Sequence, residues 1–280
     1  MRRHTHVLSD GAMSCSSSDT ARQHRRMALV TGASSGIGRA IAVELASRKF
    51  DLVLTARREA RLQTLGAELA RLYGVGTTVV AIDLAAPQAA TELHDRVCEM
   101  DPSIDVLVNS AGVGNHGDFA STDWLVEHRM IQLNIVALTE LTKLVLAGML
   151  GRRAGRILNV ASTAAFKPGP FYAVYAATKA YVLSFSEALQ QELSGTGVTA
   201  TALCPGSTST SFASAAGIQR KRLLRLLPTM RPDVVARCAV KGLLAGRPLV
   251  IPGYTNNAVA VALKLLPRST VRALARHARR

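Results

Sequence analysis

A tyrosine and a lysine one helical turn apart, Tyr175-Ala-Ala-Thr-Lys179, are the pair in this 280-residue chain best suited to moving a proton. At i and i+4 on a helix the two side chains share a face. A phenol titrates at about 10 and is a poor base at neutral pH, but a neighbouring ammonium stabilises the phenolate and is expected to lower that value. Tyr175 can then protonate a developing alkoxide or take the proton of an alcohol. Thirteen residues earlier, Asn159-Val-Ala-Ser162 closes an apolar run with a hydroxyl. Tyr172 and Tyr181 are competing phenols, yet four positions on they are followed by Ala176 and Phe185, not by lysine.

Near the start, Met27-Ala-Leu-Val-Thr31 runs into Gly32-Ala-Ser34-Ser35-Gly36-Ile37-Gly38 and then into a helical pattern from Arg39. Glycines there let the chain turn tightly and let backbone approach a pyrophosphate, while free N–H groups at the helix start bind phosphate. The G-x-x-x-G-x-G spacing departs from G-x-G-x-x-G, but the mechanics are the same and a dinucleotide is the natural ligand. A carboxylate about twenty residues on would suit the ribose hydroxyl of NAD, and an arginine the phosphate of NADP. The sequence reads Leu54-Thr55-Ala56-Arg57-Arg58, with Asp51 at the beginning of that run. NADP(H) is therefore expected ahead of NAD(H), with Arg57 preferred to Arg58 as the phosphate ligand and Arg39 assisting. Asp83, followed by Leu84, can hydrogen-bond an adenine or cap a helix. Asn109-Ser110-Ala111-Gly112 offers small residues on which a cofactor can lie.

Taken together, Thr31-Gly-x-x-x-Gly-x-Gly38, Asn109-x-Ala-Gly112, Asn134, Ser162 and Tyr175-x-x-x-Lys179 resemble the short-chain dehydrogenase/reductase superfamily in order and spacing over residues 27–252. Ser110 stands where asparagine is commoner and keeps that surface small. The resemblance implies NADP(H)-dependent hydride transfer between a carbonyl and an alcohol. Ser162 would hold and polarise the substrate oxygen, Lys179 would bridge ribose hydroxyls, and Asn134 would hold a water that continues the relay. Pro205-Gly206 and the following Thr208 and Thr210 would grip the nicotinamide carboxamide. Ser34, Ser35, Ile37, Leu84 and Ala111 complete the expected cofactor contacts. A homo-oligomer, dimer or tetramer, is also implied, pairing through the helices that carry Asn134 and Tyr175. A non-catalytic NADP(H)-sensing or scaffold protein is the alternative. An epimerase or dehydratase on the same fold would usually need a longer C-terminal region.

Positioning these groups calls for an α/β scaffold. Short apolar runs at 27–31, 52–55, 78–82, 106–109, 156–160, 199–203 and 249–251 alternate with helical patterns at 37–48, 58–73, 88–100, 121–149, 172–194 and 232–245. That rhythm predicts a doubly wound (Rossmann-like) parallel seven-stranded sheet with helices on both faces in a single domain, residues 27–253. Leu62, Leu65, Leu69 and Leu72 form one apolar stripe expected in the core. Residues 1–26, with the Ser14 to Ser18 run and no apolar signal region, read as a disordered extension, with Met13 and Met27 as other candidate starts. Residues 211–231 occupy the place of a substrate lid. Phe212, Leu223, Leu224, Leu226, Leu227 and Met230 would give it an apolar wall, so a lipophilic carbonyl compound is expected: fatty-acyl, steroid-like or xenobiotic. Residues 254–280 form a basic amphipathic extension, suited to a membrane surface, a cover for the cleft or a subunit contact.

With 48% hydrophobic residues and 19% charged, the chain can bury a large aliphatic core, which excludes disorder throughout. The net charge of +15 raises the question of an acidic partner, but the arginines crowd the two ends. No basic helix is interleaved with stacking aromatics, so nucleic acid is not expected. Cys15, Cys98, Cys204 and Cys238 are widely spaced with no C-x-x-C pair, which indicates neither a zinc site nor a disulfide framework and fits a reducing cytoplasm. No run of eighteen uncharged apolar residues exists, so a spanning helix is not expected and membrane contact is at most peripheral.

Overall fold

The computed structural model describes residues 25–100, 103–210, 212, 229–267 and 269–272. Seven parallel strands are ordered β3-β2-β1-β4-β5-β6-β7: β1 Met27–Thr31, β2 Asp51–Ala56, β3 Thr77–Ala81, β4 Ile104–Asn109, β5 Gly155–Val160, β6 Val198–Leu203 and β7 Leu249–Val250. Each expected strand is present within two residues of its bounds. The helices are α1 Gly36–Ser47, α2 Glu59–Tyr73, α3 Ala89–Cys98, α4 Trp124–Ile131, α5 Leu138–Gly151, α6 Ala173–Glu192, α7 Pro232–Leu244 and α8 Tyr254–Leu265.

Alternation along the strands sends side chains to two cores. Val30, Leu52, Leu54, Val106 and Val108 pack with Ile41, Leu62 and Val235 on the face of α1, α2 and α7. Leu29, Val53, Leu107 and Ile157 pack with Leu93, Leu141 and Leu189 on the face of α3, α5 and α6. Both faces are covered, which is why the strands read as continuous apolar runs rather than alternating ones. Leu62, Leu65 and Leu69 are buried as expected, but Leu72 is 52% exposed. It sits in the last turn of α2, where the adjacent Tyr73 packs against the core instead.

The chain order reverses between β1 and β4, and that is where a doubly wound sheet opens a crevice at the strand ends. The expected single helix over 121–149 is in fact α4 and α5 joined through a π-turn, Gln132–Ala137, that carries Asn134. The combined run Trp124–Gly151 is long and apolar enough to cross a membrane, with mean hydropathy 1.6. Counting uncharged residues does not register this. Here Met130, Leu138, Leu141, Val145 and Met149 are buried in the protein, as in a core helix.

Candidate active site

Short side chains, tied to backbone, build the crevice. Gly32 has φ +68°, and a Cβ there would stand 2.8 Å from the Ala111 nitrogen. A Cβ on Gly38 would come within 2.5 Å of the Gly32 carbonyl. The glycine turn, the start of α1 and the Ser110-Ala111 backbone are therefore in contact at distances only glycine permits. Thr31, which the sequence did not single out as a site residue, locks this arrangement. Its buried hydroxyl accepts from the Ser110 and Ala111 amides at 2.9 and 3.0 Å. Asn109 spends its side chain beneath the site, with Nδ2 donating to Thr142 Oγ1 and Asn159 Oδ1, both at 2.9 Å. Its amide nitrogen is thereby fully committed to the scaffold. Ile37 and Leu84 pack into the two cores.

At the end of β2 the arginines differ from expectation. Arg58, not Arg57, reaches the turn, donating from Nη2 to Ser34 Oγ and Ser35 Oγ, each at 3.2 Å. Arg57 is exposed and acts on Asp83 through its charge. Arg39 pairs with Glu68 at 2.8 Å, and both line a cleft of about 210 Å³ with Ser34 and Arg61, a further cation that the sequence did not flag. The Asp83 carboxylate accepts from Arg129 and from the Ala85 amide at 3.2 Å. Burial opposes its charge, but those hydrogen bonds and the Arg129 and Arg57 charges hold its carboxyl below the usual range. It thus serves as an anchor between the loop after β3 and α4.

Ser162, Tyr175 and Lys179 come together. Ser162 follows β5 and opens a 3-10 turn, Thr163–Phe166, accepting from the Ala164 amide at 3.1 Å. Tyr175 and Lys179 lie on α6, with Lys179 Nζ 5.9 Å from the Tyr175 ring centroid and donating to the Val160 carbonyl at 2.8 Å. Lys179 is only 6% exposed, and burial pushes its ammonium down to about 8 against an opposing influence of Cys204. Burial likewise pushes the Tyr175 phenol up to about 12, with the Ser162 hydrogen bond pulling the other way. Among the protein groups, burial thus outweighs the lowering expected from Lys179. Desolvation outweighs a cation that is itself desolvated and does not touch the phenolic oxygen. At neutral pH Tyr175 is a protonated donor. The competing phenols are elsewhere: Tyr181 pairs with Thr139 Oγ1 at 3.0 Å, and Tyr172 packs on His116.

Asn134 is buried and its side chain is fully engaged: Oδ1 accepts from the Val113 amide at 3.0 Å, and Nδ2 donates to the Val113 carbonyl and Thr178 Oγ1 at 2.9 and 3.1 Å. Any water it holds belongs to its main chain, not its amide. The Pro205 carbonyl accepts from the Thr163 amide at 3.0 Å. Gly206 is closely covered by Asn256 of α8, whose side chain lies 2.5 Å from where a Cβ would be. Thr208 Oγ1 donates to the Gly206 carbonyl at 3.1 Å, and the Thr210 methyl lies 3.3 Å from a Cβ position on Gly36. The carboxamide segment thus meets the glycine turn. A groove of about 610 Å³ beyond it is lined by Gly36, Thr210, Arg231 and Arg237 and by none of the proton-transfer groups. Of the residues expected to wall a lid, Phe212, its ring 5.6 Å from that of Tyr175, and Met230, packed against the core of α1, α2 and α7, are described. Leu223, Leu224, Leu226 and Leu227, residues 1–24 and residues 273–280 lie outside the described residues. Among the described residues no group of three or more metal-binding side chains is present, and the cysteines are free.

Residues 26–221 match the short chain dehydrogenase family. A short-chain dehydrogenase from Sphingobium yanoikuyae in complex with NADPH superposes with a TM-score of 0.78 at 35% identity, covering 85% of this chain and 92% of that one. Inactive hydroxysteroid dehydrogenase-like protein 1 of Pongo abelii is 35% identical over 232 residues, 81% of this chain and 68% of that protein. The 17-beta-hydroxysteroid dehydrogenase type 3 of Mus musculus is 35% identical over 194 residues, 68% of this chain and 62% of that protein.

Proposed function

The chain belongs to the short chain dehydrogenase family, and we propose that it is an NADP(H)-dependent oxidoreductase that interconverts a lipophilic carbonyl compound and its alcohol. The observation that carries this reading is the convergence of Ser162, Tyr175 and Lys179 at the end of β5 and the start of α6, with Lys179 buried and its Nζ 5.9 Å from the Tyr175 ring centroid. When bound, the nicotinamide supplies or accepts the hydride. The residues present fit such a group: a glycine turn open at the start of α1, serines that hold Arg58, and Arg57, Arg39 and Arg61 around one corner. The NADPH bound by the Sphingobium relative supports the phosphate preference.

Ser162 orients the substrate oxygen, and Tyr175 delivers its phenolic proton to that oxygen as negative charge develops there. Lys179, with one N–H on Val160, would keep two for ribose hydroxyls, and a water held by the Asn134 main-chain carbonyl would pass a solvent proton to it for return to Tyr175. The hydroxysteroid relative supports a lipophilic substrate, as does Phe212 against Tyr175. A non-catalytic reading draws on the inactive relative, but Ser162, Tyr175, Lys179 and Asn134 are all present here.

NADPH and NADH oxidation across aldehydes, ketones, quinones and 3-oxoacyl thioesters tests the reading. NADPH-dependent turnover is expected, falling about 10²–10⁴-fold in Tyr175→Phe. Full activity in that variant, or none in the wild type, overturns it. We place residues 254–280 on an anionic membrane surface: Tyr254, Val261 and Leu265 of α8 are exposed along one stripe, and Arg268, Arg272, Arg276 and Arg279 follow. Flotation with anionic liposomes should recover the full chain and not one ending at Gly253; equal recovery sinks the membrane contact.

A further inference from the structure

The segment leaving β4 toward α4 is held at alternate residues. Val113 exchanges two hydrogen bonds with Asn134, at 3.0 and 2.9 Å. Asn115 Nδ2 donates to Glu127 Oε1 at 3.2 Å, while Asn115 Oδ1 accepts from the His116 amide at 3.0 Å. The Gly117 amide donates to the Phe171 carbonyl at 3.0 Å. Two of these holds come from buried side chains two turns apart on the run that contains α4, and the third comes from the residues just before α6.

Glu127 is the unusual member. It is 5% exposed, and among the described residues its Oε2 has no hydrogen-bond partner. Burying a carboxylate is unfavourable unless it is paired, and one neutral amide does little to offset that. As core filler a leucine would serve α4 better. Among the described residues, the contact that uses the carboxylate chemistry is the one to the loop. That loop carries His116, whose ring packs 4.6 Å from Tyr172 and 5.8 Å from Phe171, centroid to centroid. Tyr172 stands one turn before Tyr175.

We infer that Glu127 is a positioning residue for substrate recognition. Through Asn115 it fixes the His116 backbone, so that the His116 and Tyr172 rings form a wall beside the Tyr175 turn that receives the bulk of a ring-bearing ketone. The inference rests on the reading of Tyr175 as proton donor. The wall meets the body of the substrate and not the reacting oxygen, so it acts on KM for large substrates and leaves the proton-transfer step alone.

The test uses the full chain with Glu127→Ala, Glu127→Gln, His116→Ala and Asn115→Ala, assayed with NADPH on a bulky cyclic ketone and a small open-chain ketone. Glu127→Ala should raise KM for the cyclic ketone about 5- to 10-fold with kcat held within about twofold, and leave the small ketone unchanged. Glu127→Gln still offers an acceptor to Asn115 and should restore KM to within about twofold. The Glu127→Ala/His116→Ala pair should be no worse than either single change, because the two act as one unit. Equal losses on both ketones, or a fall confined to kcat, overturn the inference. If Glu127→Ala does not fold, Asn115→Ala removes the same bond from the loop side. Hydrogen exchange at residues 113–117 separates this from the catalytic reading: it should rise in Glu127→Ala even if no carbonyl is turned over, and unchanged exchange refutes the clasp.

Discussion

The two ends of the crevice are built in opposite ways. At the end proposed to transfer the proton, Lys179 is buried and Ser162 and Tyr175 are partly buried, and Lys179 and Ser162 are also tied to backbone. At the end proposed to bind a phosphate, Arg39, Arg57 and Arg58 are exposed side chains on long stems, Arg58 held by serine hydroxyls and Arg39 by a surface carboxylate. Chemistry that depends on a proton moving between fixed atoms needs preorganised, desolvated groups, since small displacements of the reacting atoms are costly in rate. Recognition of a phosphate needs charge within reach and tolerates movement. The first end should therefore fail sharply when altered, and the second gradually.

Lys179→Met is the largest break in that contrast. It should lower turnover at least 10²-fold, the lower bound for a lost proton-transfer group, as measured by NADPH oxidation. The same change should remove a burial penalty that depends on pH, together with the hydrogen bond to Val160. Below pH 8 Lys179 carries in the folded state a charge that burial opposes, since its ammonium is pushed down from 10.5 to about 8. The unfolded chain binds that proton more tightly, so wild-type stability rises between about pH 8 and 10.5 as the folded lysine releases it first. At neutral pH the penalty is about 3 kcal/mol, and it disappears above pH 10.5. Thermal melts should show the wild type gaining on the Met variant between about pH 8 and 10.5; a difference that does not change across that window would contradict a desolvated ammonium.

At the other end, Arg58→Ala should raise KM for NADPH about 10-fold and leave NADH nearly unchanged, the amount expected for one charge-assisted hydrogen bond. Arg57→Ala should do less, about twofold, because that guanidinium is exposed and does not touch the turn. Reversal of this order would restore the ranking read from the sequence. A collapse of kcat in either variant would erase the contrast between the two ends.

Much of this was legible in the sequence. The seven strands followed from apolar runs that only a sheet covered on both faces requires. The glycine turn followed from the φ and contact demands at Gly32 and Gly38, and Tyr175 with Lys179 from helical spacing. These are local properties, and residue type and spacing determine them. The rest concerned distances between segments remote in sequence. Arg57 and Arg58 are adjacent, and only the direction of the chain after β2 decides which one meets Ser34. Asn134 was expected to hold a water, and only the π-turn and the Val113 backbone show that its side chain is spent as a strut. Desolvation of Tyr175 and Lys179 depends on what packs around them, so spacing gave the proximity of the pair but not the burial that opposes the phenolate. The sequence by itself determined which groups this protein brings to its crevice; the tertiary structure alone decided which are desolvated and which are satisfied by a partner, because both depend on neighbours that the chain supplies from far away.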